Sequence, residues 1–101
     1  MRRWHKPIPL SSLLKARVPD TPGVYMLLGD ESDLSSVLKI APARSLRAAF
    51  ERALEPADSY QPATPEALMF FETVSETAEA ERLLGAYKRK HGQNPILNSP
   101  F

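Results

Sequence analysis

Three arginines and one lysine in the middle of the chain are the side chains best suited to contact phosphate. Arg44, Arg47 and Arg52 recur along a segment with helical periodicity, and Lys39 lies just before it in a predicted strand. Cations arranged along one surface neutralise successive phosphates of a nucleic-acid backbone. The four residues are therefore candidates for binding DNA or RNA.

The competing interpretation of these cations is an ordinary solvated surface. Glu51 and Glu55 lie in the same helical segment and dilute its positive charge. Arg47 and Glu51 are four residues apart, a spacing that allows an exposed ion pair of little energetic value. Lys39 stands alone in its strand, where it contacts phosphate, acts as a base if buried, or only meets solvent. The charge pattern alone leaves these interpretations open.

Two further basic clusters lie near the ends of the chain. Residues 88–91 read Lys-Arg-Lys-His and end a predicted helix, where cations favour the helix dipole or bind an acidic partner. Residues 2–6 combine cations with a tryptophan that stacks on a nucleobase, or packs on the domain or a second subunit. His5 and His91 lack metal-ligand spacing and there is no cysteine, so we expect no metal or other cofactor.

Composition places the chain among ordinary soluble domains. It has 101 residues, 43% of them hydrophobic and 25% charged, with a net charge of +1, so residues 1–101 are expected to form one domain. The total charge gives no sign of nucleic-acid binding, and any basic footprint must be local. No apolar run resembles a signal peptide or a membrane span, so we expect a cytoplasmic protein without a membrane partner.

The apolar pattern predicts three strands and three helices. Strands are expected over 24–28, 36–41 and 67–74, where apolar residues are concentrated between turn-forming residues. Helices are expected over 44–54 and from a Ser75 cap to a Gly92 cap, and a short one begins at Ser11 or Ser12. The glycine at position 85 suggests close backbone packing inside the last helix.

These elements define an α/β fold class. The predicted order is short helix-β-β-α-β-α, with a three-stranded, mainly antiparallel sheet flanked by helices. Residues 1–17 are expected to form an N-terminal arm and the short helix, with residues 1–9 irregular because of Pro7 and Pro9. Residues 18–98 then form the core.

Four short motifs in this order carry a family resemblance. They are Pro22-Gly23-Val24-Tyr25, then Leu46, then Glu79-Ala80-x-x-Leu83, and finally Pro95-x-x-Asn98. Together they resemble the GIY-YIG nuclease superfamily, which includes homing endonucleases and the excision-repair incision subunit. The resemblance covers residues 18–98, and its specificity comes from the order and spacing of the motifs.

The chain departs from that family where the chemistry should be. The family's second tyrosine, the lysine after it, the catalytic arginine and the metal-binding glutamate fall on Lys39, Pro42, Ala49 and Leu84. Glu81 takes the glutamate position only in a register that loses the matches at Ala80 and Leu83. Of the catalytic set, only Tyr25 remains, either as a retained active-site phenol or as a residue that fills the sheet edge.

The resemblance implies a degenerate, non-catalytic GIY-YIG-like domain. The family hydrolyses phosphodiesters with Mg²⁺ or Mn²⁺, which requires a hard oxygen ligand, a base and a cation, and Ala49 and Leu84 supply none of these. The first hypothesis is a nucleic-acid-binding module. The second is a protein-interaction domain or homodimer, favoured by Leu84 in place of an acid. The third is a divergent endonuclease that uses Glu81 with Tyr25 and Arg47.

Overall fold

A computed structural model describes residues 4–55 and 63–98. The strands are β1 (Ile8–Pro9), β2 (Gly23–Leu28), β3 (Val37–Ala43) and β4 (Ala67–Glu72). The helices are α1 (Leu46–Ala53), α2 (Glu76–His91) and two short 3₁₀ helices, Ser12–Arg17 and Ile96–Asn98. No helix in the described part of the chain is long and apolar enough to cross a membrane.

The sheet has four antiparallel strands in the order β1-β4-β2-β3, so the prediction of three strands was wrong. The additional strand comes from the segment expected to be an irregular arm. Ile8 pairs with Leu68 and is only 3% exposed, and the Leu10 N–H donates to the Glu66 carbonyl at 2.9 Å. Burial of Ile8 together with these backbone bonds holds the segment against β4.

Each face of the sheet carries its own helices, as an α/β sandwich requires. On one face, called the α1 side, α1 and the first 3₁₀ helix cover Tyr25, Leu27 and Phe70. On the other, called the α2 side, α2 packs on β2 and β3 over Val24, Ile40 and Phe71. Successive strand residues point to opposite faces, so the continuous apolar run of β4 is buried on both sides.

Other predicted elements shifted at their ends. The first helix is a 3₁₀ helix with Ser11 as its N-cap, and its Leu13 is 89% exposed. Strand β3 runs through Pro42 to Ala43, because proline is tolerated on an edge strand. Gly92 ends α2 at a φ of +78°, which confirms the predicted left-handed cap.

Both edges of the sheet have features that hinder pairing with another strand. On β1, the inward bonds of Ile8 and Leu10 leave Pro7 and Pro9 at the outward positions, where proline has no N–H to offer. On β3, the Asn98 side-chain amide bonds both outward groups of Ile40. Its Oδ1 accepts from the Ile40 N–H at 2.7 Å, and its Nδ2 donates to the Ile40 carbonyl at 2.8 Å. The fold therefore disfavours partners that bind by adding a strand.

Removal of the Asn98 amide should cost part of the stability of the β3 edge. Asn98→Ala loses two part-buried hydrogen bonds to Ile40, and we expect the free energy of unfolding to fall by about 1–2 kcal/mol. Urea unfolding measures the change. Asn94→Ala, at an exposed asparagine nearby, is the control and should be close to neutral. Equal stability of the two variants would contradict a bonding role for Asn98.

Candidate nucleic-acid interface

The turn before β2 docks onto the N-terminus of α1. The Leu46 N–H donates to the Thr21 carbonyl at 2.9 Å, and the Arg47 N–H donates to the Pro19 carbonyl at 3.1 Å. The Ser45 hydroxyl oxygen accepts from the Ala48 N–H at 3.1 Å, and its own proton goes to the Asp20 carboxylate. The first helical amides are therefore already bonded, so any phosphate at this end must be bound by side chains.

Arg47 is partly engaged in the same docking contact. Its Nε donates to the Val18 carbonyl at 2.9 Å, and the side chain is half-buried. It does not form the ion pair with Glu51 that the helical spacing allows. Its terminal guanidinium nitrogens make no bond within the described residues, so they remain able to donate. Arg47 thus both holds the turn and presents a cation.

The other predicted cations lie in or next to the elements of the α1 side. Arg44 and Arg52 are exposed, before α1 and in its last turn respectively. Lys39 is half-buried and lies opposite Leu27 in the β2–β3 pairing. Because directly opposed residues share a face, Lys39 is on the α1 side. The structure therefore brings these residues to one layer.

Two cations of this layer were missed by sequence reasoning. Lys15 and Arg17 are exposed at the end of the first 3₁₀ helix, which packs against α1. Arg17 directly precedes Val18, whose carbonyl bonds Arg47. The sequence signal was two basic residues in a last helical turn, which is typical of helix ends in general. We call the following six residues the basic layer: Lys15, Arg17, Lys39, Arg44, Arg47 and Arg52.

The basic layer is free of ion pairs within the described residues. The only described salt bridge joins Arg82 to Glu79 at 3.0 Å on α2, away from these six cations. Acidic groups also lie near the layer: Asp20 bonds Ser45, the Glu72 carboxylate accepts from the Thr21 hydroxyl at 3.0 Å, and Glu51 and Glu55 are exposed. Cations without a protein partner can bind phosphate without breaking an existing pair.

A separate acidic cluster lies in the β2–β3 hairpin. Asp30, Glu31 and Asp33 are exposed there. The Asp33 carboxylate accepts hydrogen bonds from the Ser35 hydroxyl and from the Ser35 N–H, of which the hydroxyl bond has the larger effect. These bonds hold the pKa of the Asp33 carboxyl below its usual value, so it is charged at neutral pH. A polyanion is therefore expected to avoid the hairpin end of the domain.

The positions that correspond to the family's catalytic groups do not meet in one cleft. Tyr25 and Ala49 lie together in the α1-side core. Leu84 packs against the α2-side core and Glu81 is exposed on α2, so the sheet separates both from Tyr25. The Tyr25 side chain makes no hydrogen bond to a described residue. Within the described residues, no three His, Cys, Asp or Glu side chains form a metal-binding group.

The two terminal basic clusters take different positions. Of residues 2–6, the structure describes Trp4, His5 and Lys6, and the predictions for residues 2 and 3 concern positions outside the described residues. Trp4 is half-buried against Phe71, so its indole packs on the domain. Residues 88–91 are exposed at the end of α2, next to a shallow depression of about 410 Å³. Neither belongs to the basic layer.

No protein-family model matches this chain, and no curated protein matches it as a relative. The fold and the interface therefore define its class: a small α/β domain with a four-stranded antiparallel sheet and one cationic helical side.

Proposed function

We propose that this protein is a non-catalytic nucleic-acid-binding domain that contacts phosphates through the basic layer. The observation that carries the proposal is the collection of six cations on one side of the sheet, none paired with a described carboxylate. The six cations outnumber the four nearby carboxylates of Asp20, Glu51, Glu55 and Glu72, which favours a locally positive surface. Such an interface contacts the backbone rather than base edges, which gives affinity with little sequence selectivity.

The resemblance to the GIY-YIG superfamily supports the same proposal, and we propose that the chain is a degenerate member. The element order β-β-α-β-α of residues 18–98 agrees with the motif order, whereas the positions aligned with the catalytic tyrosine and glutamate, Tyr25 and Leu84, lie on opposite faces of the sheet and count against a retained active-site geometry. The motif glycine also has a structural reason here, because Gly23 lies against the Phe71 backbone and Leu46. A nuclease ancestor would have tracked a phosphate backbone, and a descendant can retain that binding after losing the metal ligands.

The two other hypotheses lose the observations that favoured them. The protein-interaction or homodimer hypothesis was favoured by Leu84 in place of an acid, but Leu84 is half-buried between α2 and the sheet and packs within the domain. A divergent nuclease requires Glu81 beside Tyr25 and Arg47, but Glu81 is exposed on the helix that covers the other face. Binding without catalysis is therefore the function that the geometry supports best.

Salt dependence tests the proposed function. If about four to six cations contact phosphate, log Kd should change with log salt with a slope of about 3–5. Between about 50 and about 200 mM salt, the affinity for a short oligonucleotide should fall on the order of 100-fold. Fluorescence anisotropy with labelled DNA and RNA strands measures this directly. Absence of binding at the lower salt concentration, or an affinity independent of salt, would contradict the proposal.

A further inference from the structure

Trp4 and His5 lie at the outer edge of β4, and their side chains contact opposite faces of the sheet. The Trp4 indole meets the Phe71 ring edge to face, with ring centroids 4.6 Å apart, on the α2 side. The His5 side chain lies on the α1 side. Its imidazole stacks on Phe70, with ring centroids 4.8 Å apart and an angle of 11° between the rings. The His5 N–H also donates to the Phe70 carbonyl at 2.7 Å. The two residues are therefore anchored by both side chains and the backbone.

The His5 ring is held in one orientation while it remains exposed. Its Nδ1 lies 2.8 Å from the Lys6 carbonyl oxygen, and since a carbonyl can only accept, Nδ1 carries the proton in this bond. One face of the imidazole covers Phe70, and the residue as a whole is exposed. A flat ring fixed by a stack and a hydrogen bond loses little entropy when a second ring stacks on it.

This exposed ring lies on the same side as the basic layer. Phe70, on which His5 stacks, belongs to the α1-side core and pairs with Tyr25 of the neighbouring strand β2. The adjacent Lys6 is exposed and adds a cation beside the ring. Cations that track the backbone combined with an aromatic ring for the bases are the typical features of single-strand binding. Bases inside a duplex are already stacked on each other and do not reach such a ring.

We propose that His5 is a stacking site for an unpaired nucleobase, and that the ligand of the basic layer is therefore single-stranded nucleic acid. This inference rests on the proposed function, since the basic layer must bind the backbone of the same strand. His5 adds base contacts to that phosphate binding. Because every base has a π-face, the site should accept different bases.

A strand without bases separates the two contributions. We compare binding of a roughly 12-nucleotide oligothymidine with an abasic strand of equal length, which keeps the phosphates and removes the rings. The wild-type protein should bind oligothymidine about five-fold or more tightly than the abasic strand. His5→Ala should remove this preference, and His5→Phe should keep it. The salt slope should be the same in all three proteins, since His5 does not contact phosphate.

His91→Ala is the matched control. His91 is also exposed and also packs on an aromatic ring, Tyr87, at 4.2 Å, but it lies on α2. The His91→Ala variant should leave the preference for oligothymidine unchanged. Thermal unfolding of each variant verifies that it is folded.

The outcomes separate the inference from the function on which it rests. If the wild-type protein binds both strands equally, or if His5→Ala keeps the preference, the stacking site is wrong while phosphate binding stands. Tighter binding to a duplex of equal length would also overturn the single-strand assignment. If the wild-type protein binds neither strand at low salt, the proposed function fails and the stacking site with it.

Discussion

Gly23→Ala is expected to destabilise the folded domain by about 3 kcal/mol, at the upper end for an added methyl group in a packed interior. A Cβ at this position would overlap the Phe71 carbonyl oxygen and lie 2.7 Å from Leu46 Cδ1. Phe71 belongs to a central strand paired on both sides, so its backbone cannot move without breaking the sheet. Leu46 is fully buried where α1 meets the sheet, so it cannot rotate into solvent.

Gly85→Ala is the matched control and should change the free energy of unfolding in the opposite direction. A Cβ at Gly85 would meet only the flexible end of Arg89 at 3.5 Å, so the predicted close packing at this glycine was wrong. Alanine in a helix interior is favoured over glycine by about 1 kcal/mol, and we expect Gly85→Ala to stabilise the domain by a similar amount. Urea unfolding measures both variants. A Gly23→Ala protein as stable as the wild type would contradict the packing of α1 on the start of β2.

The double variant Arg44→Glu/Arg52→Glu should lose most of the nucleic-acid binding. Both side chains are exposed, and neither makes a hydrogen bond or ion pair with a described residue, so folding should be preserved. The change removes two phosphate contacts and adds two negative charges to the same layer. We expect the affinity at low salt to fall on the order of 100-fold. Anisotropy titration with the same labelled strand measures the effect.

Arg89→Glu/Lys90→Glu is the control with the same change in net charge. Both residues are exposed in the last turn of α2, on the opposite side of the sheet from the basic layer. Long-range attraction alone would respond equally to the two double variants. A direct phosphate interface on the α1 side responds to the first variant far more strongly.

Local patterns in the sequence were sufficient to predict the order of the main elements but not the additional strand, β1. The β-β-α-β-α core and the Gly92 cap follow from periodicity and from residues that act over a few positions. Strand β1 depends on the pairing of Ile8 with Leu68 of β4, sixty residues away in the chain. Pro7 and Pro9 break regular structure in a local pattern, yet on a sheet edge they face outward and are tolerated. Only the tertiary position distinguishes the two cases.

The candidate site was predictable in the same limited way. Arg44 and Arg52 are exposed, as a charged helix face suggests. The engagement of Arg47 by the Val18 carbonyl depends on how the preceding turn docks, which no spacing rule describes. Lys15 and Arg17 join the layer only because the first 3₁₀ helix packs on α1. Charge clusters made of several elements are therefore visible only after the elements are assembled.

Nucleic-acid binding by the α1 side is tested most directly by titrating the two double variants with one oligonucleotide at low salt. We expect Arg44→Glu/Arg52→Glu to bind at least about 10-fold more weakly than Arg89→Glu/Lys90→Glu, although both carry the same net charge. Equal affinities, or weaker binding by the α2 variant, would contradict it.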